Sequence, residues 1–179
     1  IVSIKVSGGG EIAEYLESLA TFATVGSMAE NTGDTVNYVN AEFIAEERGI
    51  KVEVEDTNVA SPYKNIITVK LTTEKQALSI SATIFEDDVQ RIVDFDGFEV
   101  DVALKGNMII FKNTDVPGVI GNVGTILASH DVNISDFRLG RNDKSEALAV
   151  ILLDSDVTDA AMNELSKLDA CISVKAVRL

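Results

Sequence analysis

From Met108 to Val177 the apolar residues switch repeatedly between strand-like and helix-like spacing, and that order of periods admits few folds. Met108 to Phe111 is a continuous apolar run, as a central strand has. Asn113-Thr114-Asp115-Val116-Pro117-Gly118 is a turn that launches a helix, with proline near the first helical position, where its missing N–H costs nothing. Val119, Ile120, Val123, Ile126 and Leu127 form the buried stripe of that helix. Asp131 to Leu139 reads as a strand, Arg141 to Ser145 as a turn, and Ala147 to Leu153 as a second buried strand. Thr158 to Leu168 reads as a helix with Ala161, Leu165 and Leu168 inward and Asp159 well placed in the first turn. Ile172 to Val177 closes the series as a strand. The order is βαββαβ, the split-βαβ plan of ferredoxin-like domains. Gly121 and Gly124 each lower helix propensity by about 1 kcal/mol relative to alanine. Close approach of the helix to another backbone is the expected compensation.

The preceding residues have a different rhythm. Val2, Ile4 and Val6 alternate with Ser3, Lys5 and Ser7, which marks a half-buried strand. Gly8-Gly9-Gly10 ends it, and a helix carrying Ile12, Leu16 and Leu19 on one face should follow. The triplet lacks both the GK[ST] ending and the GxGxxG spacing of phosphate loops, so it reads as a tight strand-to-helix turn. Asn31, Gly33 and Asp34 mark a turn, and Val36 to Asn40 a short strand. Ala41 to Arg48 reads as a short helix ended by Gly49. Alternating strands are expected around Ile50–Val54, Ile67–Leu71 and Leu78–Ile84, with Thr57 to Asn65 as a loop. Gln90–Phe95 and Phe98–Leu104 flank Asp96-Gly97, a two-residue hairpin signal. The fold class is therefore α+β: a strand-rich domain over residues 1–105, then a ferredoxin-like domain over 106–179.

Composition removes several functions. Net charge is −14, from 15 Lys+Arg against 29 Asp+Glu, which opposes nucleic acid or an anionic membrane as partner. Residues 1–105 carry 8 Lys+Arg against 19 Asp+Glu, and residues 106–179 carry 7 against 10, an asymmetry that suits two separately folding units. No apolar run approaches the roughly 18 to 20 residues that span a bilayer. Cys171 is the single cysteine, which excludes an internal disulfide and CxxC metal arrangements; between Ala170 and Ile172 it reads as a small buried thiol. No metal site is expected. The chain opens at Ile1, inside a strand pattern and without methionine, as a piece of a longer polypeptide would.

The turn before the Gly118 helix has the makings of a receptor for a zwitterion. Val116, Pro117, Gly118, Val119 and Ile120 span a helix start whose N–H groups lack intrahelical partners and favour a carboxylate. Asp115 offers a negative charge to an ammonium group, while Asn113 and Asn133 each donate and accept hydrogen bonds. The plain alternatives are that Asp115 caps the helix and that Asn133 is a turn residue. His130, the single histidine, falls at the end of the same helix, where a structural role is expected.

The N-x-D-V-P-G turn, followed by Asp131-Val132-Asn133-Ile134-Ser135, resembles an ACT domain. Val39-Asn40-Ala41, Glu46-Glu47-Arg48-Gly49-Ile50, Asn65-Ile66-Ile67-Thr68-Val69, Arg91-Ile92-Val93 and Asp96-Gly97 resemble the intervening, or allosteric substrate-binding, domain of long D-3-phosphoglycerate dehydrogenases. Ile120 to Leu127 and Val132-Asn133-Ile134 extend the likeness into the second unit. The resemblance implies a cytoplasmic regulatory region that binds a small amino acid, L-serine above all, and joins homo-oligomers by pairing ACT domains. Asn113 and Asp115 match serine-contacting positions on one subunit, and Asn133 a position supplied across the interface. It also implies that the catalytic domains and their NAD lie outside this chain. No Rossmann fingerprint or acid–histidine pair for hydride chemistry occurs here, so neither catalysis nor a cofactor is expected of the fragment. Arg91, with Lys105 nearby, matches a candidate anion site; Ala103 and Leu152 stand where relatives carry arginine, which weakens that site. The competing readings are the equivalent region of an iron–sulfur L-serine dehydratase and a dimerisation module without effector binding.

Overall fold

The computed structural model describes residues 1–32, 36–57, 62–85 and 89–179, which divide into two compact units, Ile1–Asp96 and Gly97–Leu179. In the first unit, β1 (Ser3–Gly10) lies between β2 (Lys51–Asp56), which runs parallel to it, and antiparallel β3 (Asn65–Thr72). β4 (Ala77–Ile84) and β5 (Gln90–Phe95) continue the order β2-β1-β3-β4-β5. A 3-10 turn over Glu11–Tyr15 leads into α1 (Leu16–Thr32), and α2 is Ala41–Glu47. Ile4 and Val6, two residues apart on β1, are wholly buried against Leu16, Ala20 and Met28 of α1 and Ala41 and Ala45 of α2. Helices therefore cover this face, as the alternation of β1 requires.

Several local expectations change. Val36 to Asn40 does not form a strand: Asn37 Oδ1 accepts from the N–H groups of Val39 and Asn40, and Asn40 Oδ1 accepts from Asn37 N–H at 2.7 Å. These side chains satisfy the backbone locally and bend it into a turn. The turn expected at Asn31 gives way to α1, which continues to Thr32; Gly33 and Asp34 lie outside the described residues. The glycine triplet does not end the strand as a turn: Gly8 to Gly10 are the last three residues of β1, paired with β3, and they are a packing device. A Cβ on Gly8, Gly9 or Gly10 would collide with the carbonyl oxygens of Ile66, Thr57 and Lys64 respectively.

The second unit begins just after Asp96, whose φ of 55° and that of Gly97, 84°, are both in the left-handed region that a type I′ turn needs. β6 (Phe98–Ala103) comes first, then β7 (Asn107–Thr114), α3 (Val119–Ser129), β8 (Ile134–Arg141), β9 (Glu146–Leu153), α4 (Asp159–Ser166) and β10 (Cys171–Arg178). The last six give the βαββαβ order read from the sequence, in an antiparallel sheet ordered β10-β7-β9-β8. One face buries Ile109, Phe111, Ala149, Ile151 and Leu153 against Val123, Ile126, Leu127 and Leu165 of α3 and α4. The opposite face is buried as well, through Met108, Ile110, Leu148, Val150 and Leu152, so β9 is apolar from Ala147 to Leu153. Gly140 of β8 faces β6: its added Cβ would lie 2.6 Å from Glu99 O and 3.0 Å from Phe98 Cβ. Lys112 Nζ sits 5.4 Å from the centroid of the Phe98 ring.

Thr158 caps α4 by accepting from Ala161 N–H at 3.2 Å. Cys171, which opens β10, is half-buried against the core, and burial pushes its thiol pKa up. Among the described residues, no atom beyond their own stretch of helix lies within 4 Å of a would-be Cβ on Gly121 or Gly124, so the expected approach of another backbone is not seen there.

Candidate functional site

The N-terminal end of α3 is held by two backbone hydrogen bonds to neighbouring segments and one within the loop itself. Thr114 N–H donates to Ala170 O and Asp115 N–H to Ser145 O, both at 2.9 Å, and Val116 N–H to Thr114 O at 3.0 Å. The Asp115 loop is thereby tied to the start of β10 on one side and to the β8–β9 turn on the other. That turn is built by Asn142, whose Oδ1 accepts from Lys144 and Glu146 N–H. Glu146 is in turn held by Asn142 Nδ2 at 3.0 Å and Lys112 Nζ at 3.1 Å, and these two partners keep its carboxyl pKa below the ordinary range.

Gly118 ends the loop at φ 93°, left-handed backbone that only glycine adopts cheaply, and no side chain caps the helix it starts. Asp115 is therefore not the cap. Its carboxylate instead meets Arg141 Nε at 3.2 Å, a pair in which the aspartate is 31% exposed and the arginine 64%. Asn113, 4% exposed, braces the loop by donating from Nδ2 to Thr114 O at 2.7 Å.

These groups border a cavity of about 370 Å³ between the start of α3 and the sheet. Of the residues singled out from the sequence, Asn113, Asp115, Val116, Pro117, Gly118, Val119 and Ile120 line it. Asn133 does not. It is exposed at the start of β8, where Nδ2 donates to Asp154 Oδ2. Eight residues separate it from Arg141 at the other end of that strand, roughly 26 Å at the usual rise. Arg91 is on β5 in the first unit, and Lys105 follows β6 in the second. His130 stands at the C-terminal end of α3 with Nε2 2.9 Å from Glu164 Oε2 of α4, a structural placement.

Sequence reasoning passed over Arg141, which it placed in a turn, and over the cavity floor: Phe111, Phe137, Leu139, Ala147 and Ala149. The signal was available. Phe137, Leu139 and Arg141 follow one another at period two, so one face of one strand carries all three. What the arrangement offers chemically is a carboxylate, a guanidinium, a buried amide and free helix N–H groups at one end of a cavity whose remainder is hydrocarbon. It contains no nucleophile–base pair. Among the described residues, no group of three or more His, Cys, Asp or Glu is placed to hold a metal ion.

Comparison with known proteins matches residues 1–96 to the model of the D-3-phosphoglycerate dehydrogenase intervening domain and residues 107–170 to that of the ACT domain. The chain is 33% identical over 181 residues to a D-3-phosphoglycerate dehydrogenase of Bacillus subtilis (strain 168), covering 100% of this chain and 34% of that protein. It is 32% identical over 174 residues to one from Synechocystis sp., covering 95% of this chain and 31% of that protein. A third, from Archaeoglobus fulgidus, is 30% identical over 183 residues, with 100% and 34% covered. The chain thus spans about a third of the length of these relatives.

Proposed function

Because the chain belongs to the family of the D-3-phosphoglycerate dehydrogenase intervening domain, here followed by an ACT domain, we propose that it is the regulatory region of an NAD-dependent D-3-phosphoglycerate dehydrogenase of serine biosynthesis. In this reading it senses a small amino acid, first of all L-serine, and joins subunits of a cytoplasmic homo-oligomer. The catalytic domains and NAD belong to the remaining two thirds of such a protein.

One observation carries the reading. The uncapped start of α3 and the Asp115 carboxylate open on the same 370 Å³ cavity. An α-amino acid has matching poles: its carboxylate suits the free N–H groups and Arg141, and its ammonium suits Asp115. Asn113 keeps the loop in place between them.

The position of β8 supports the subunit role. It forms an edge of the four-stranded sheet, with Asn133 at one end and Arg141 at the other. Two copies pairing antiparallel along this edge bring the partner's Asn133 to the cavity end of the strand, and a ligand there touches both subunits. Such a ligand shifts the paired state only by its differential affinity, typically about 1–3 kcal/mol of coupling. A dimerisation module without effector is the second reading. It is favoured by the fact that Asp115 and Asn133 already have partners, Arg141 and Asp154, inside one chain.

Calorimetric titration of L-serine into the chain and its Asp115→Ala and Asn133→Ala variants, with light scattering, tests the proposal. Saturable binding to a dimer that disappears in both variants is expected. Undiminished binding in both variants moves the site elsewhere, and a stable dimer that binds no amino acid leaves the second reading.

A further inference from the structure

The outward face of α1 does not match the acidic unit that carries it. Leu16, Ala20, Thr24 and Met28, each four residues from the next, form the buried ridge of the helix. The opposite stripe is Ser18, Phe22, Gly26 and Ala29, all exposed, and no residue from Ser18 to Ala29 carries a charge. A helix face turned to water ordinarily carries charged and polar side chains. Residues 1–105 hold 19 Asp+Glu, yet Glu17 of α1 stands about 100° around the helix from Ser18, off the stripe. The Tyr38 ring meets that of Phe22 edge on, with centroids 5.2 Å apart, and extends the apolar surface toward α2. Phe22, Tyr38, Val39 and Phe43 are each more than half exposed.

Charge, shape and area fit this face to a second copy of the chain. Two copies of a unit with 19 Asp+Glu against 8 Lys+Arg repel wherever their carboxylates face each other, and an uncharged stripe lets them meet without that cost. A basic partner finds no carboxylate on the stripe to pair with. Among the described residues, no atom outside its own stretch of helix lies within 4 Å of a would-be Cβ on Gly26, four positions after Phe22. When two α1 helices pack antiparallel about a twofold axis, each Phe22 ring sits at Gly26 of the other copy, a knob entering a gap. That seat compensates for a glycine in mid-helix, which lowers helix propensity. Half-exposed side chains of this size offer on the order of 100 Å² each. The four supply about half of the roughly 800 Å² per partner in a standard interface, before the rest of the stripe is counted. We propose that the outward face of α1, with Tyr38, Val39 and Phe43 beside it, is a self-association surface on which two copies of the first unit pair through antiparallel α1 helices. It lies wholly within the first unit, so it does not rest on the amino-acid reading of the cavity beside α3.

Sedimentation velocity and light scattering on the full 179-residue chain, from low micromolar to near millimolar concentration, test this. Phe22→Glu places a charge on the stripe, and Gly26→Gln fills the gap that receives the ring. Each is expected to raise the dissociation constant about tenfold or more, as loss of a central interface anchor does. The mass should accordingly fall by half, from tetramer to dimer if the second unit also pairs, or from dimer to monomer if it does not. Gly26→Gln should leave the melting temperature of the dilute chain unchanged or higher, because glutamine is the better helix former. A merely structural role for Gly26 predicts no loss of association from a change that stabilises the helix. Circular dichroism checks folding, and if Phe22→Glu misfolds, Gly26→Gln decides alone. An association state that both folded variants leave unchanged overturns the proposal and leaves the face to a different protein surface. A chain that stays monomeric across the whole range overturns it as well. Loss of association in one folded variant but not the other overturns the antiparallel pairing.

Discussion

Arg141 Nε lies 3.2 Å from the Asp115 carboxylate, joining the end of an edge strand to the loop that starts α3. The pair is partly exposed, so its contribution to folding is small, about 0–1 kcal/mol. Its value to a ligand is larger, because each member can make a charge-assisted hydrogen bond of about 1.5–3 kcal/mol. Asp115→Ala and Arg141→Gln should each weaken amino-acid binding about tenfold or more while moving the melting temperature by only about a degree or two. Calorimetry beside a thermal melt checks both halves.

Gly140 is expected to tolerate no side chain. A methyl group placed 2.6 Å from Glu99 O forces β6 and β8 apart. Gly140→Ala should cost about 1–3 kcal/mol, seen as a fall of several degrees in the melting temperature.

Thr158→Ala removes the acceptor for Ala161 N–H at the start of α4. The expected loss is about 1 kcal/mol, and chemical denaturation measures it. Thr158→Ser or Thr158→Asp should restore most of it, since each keeps a capping oxygen.

Glu146 predicts a pH dependence of defined sign. Its carboxyl pKa is lowered in the folded chain by Asn142 and Lys112, so folding favours the ionised form. The stability this contributes is present above the unfolded glutamate pKa of about 4.3 and is lost as pH falls through the lower folded value. Glu146→Gln should flatten that part of the melting temperature against pH between about 5 and 3, relative to the unaltered chain.

Much of the second unit was legible because its hydrophobic periods are long and consistent: β9 is apolar from Ala147 to Leu153, and α3 and α4 keep their buried stripes. The loop from Asn113 to Gly118 was legible through proline, glycine and aspartate, whose backbone preferences act locally. Arg141 was not, because its partner is 26 positions away and only the β8–β9 and β7–β9 registers together bring them close. The Asn37–Asn40 turn was misread as a strand for a related reason. Val36, Tyr38 and Val39 favour extended backbone, but two asparagine side chains satisfy the main chain without any neighbouring strand. Val39 accordingly ends 93% exposed.

Gly121 and Gly124 leave α3 stiffened less than its length allows, with no atom among the described residues, beyond their own stretch of helix, close to where their side chains would stand. Gly124→Ala should therefore raise the melting temperature of the separate chain, by a gain of about 1 kcal/mol. If the same change loosens assembly of the whole protein, the missing methyl group reports where a neighbouring backbone comes to rest. Folding and association would then be set against each other at a single carbon atom.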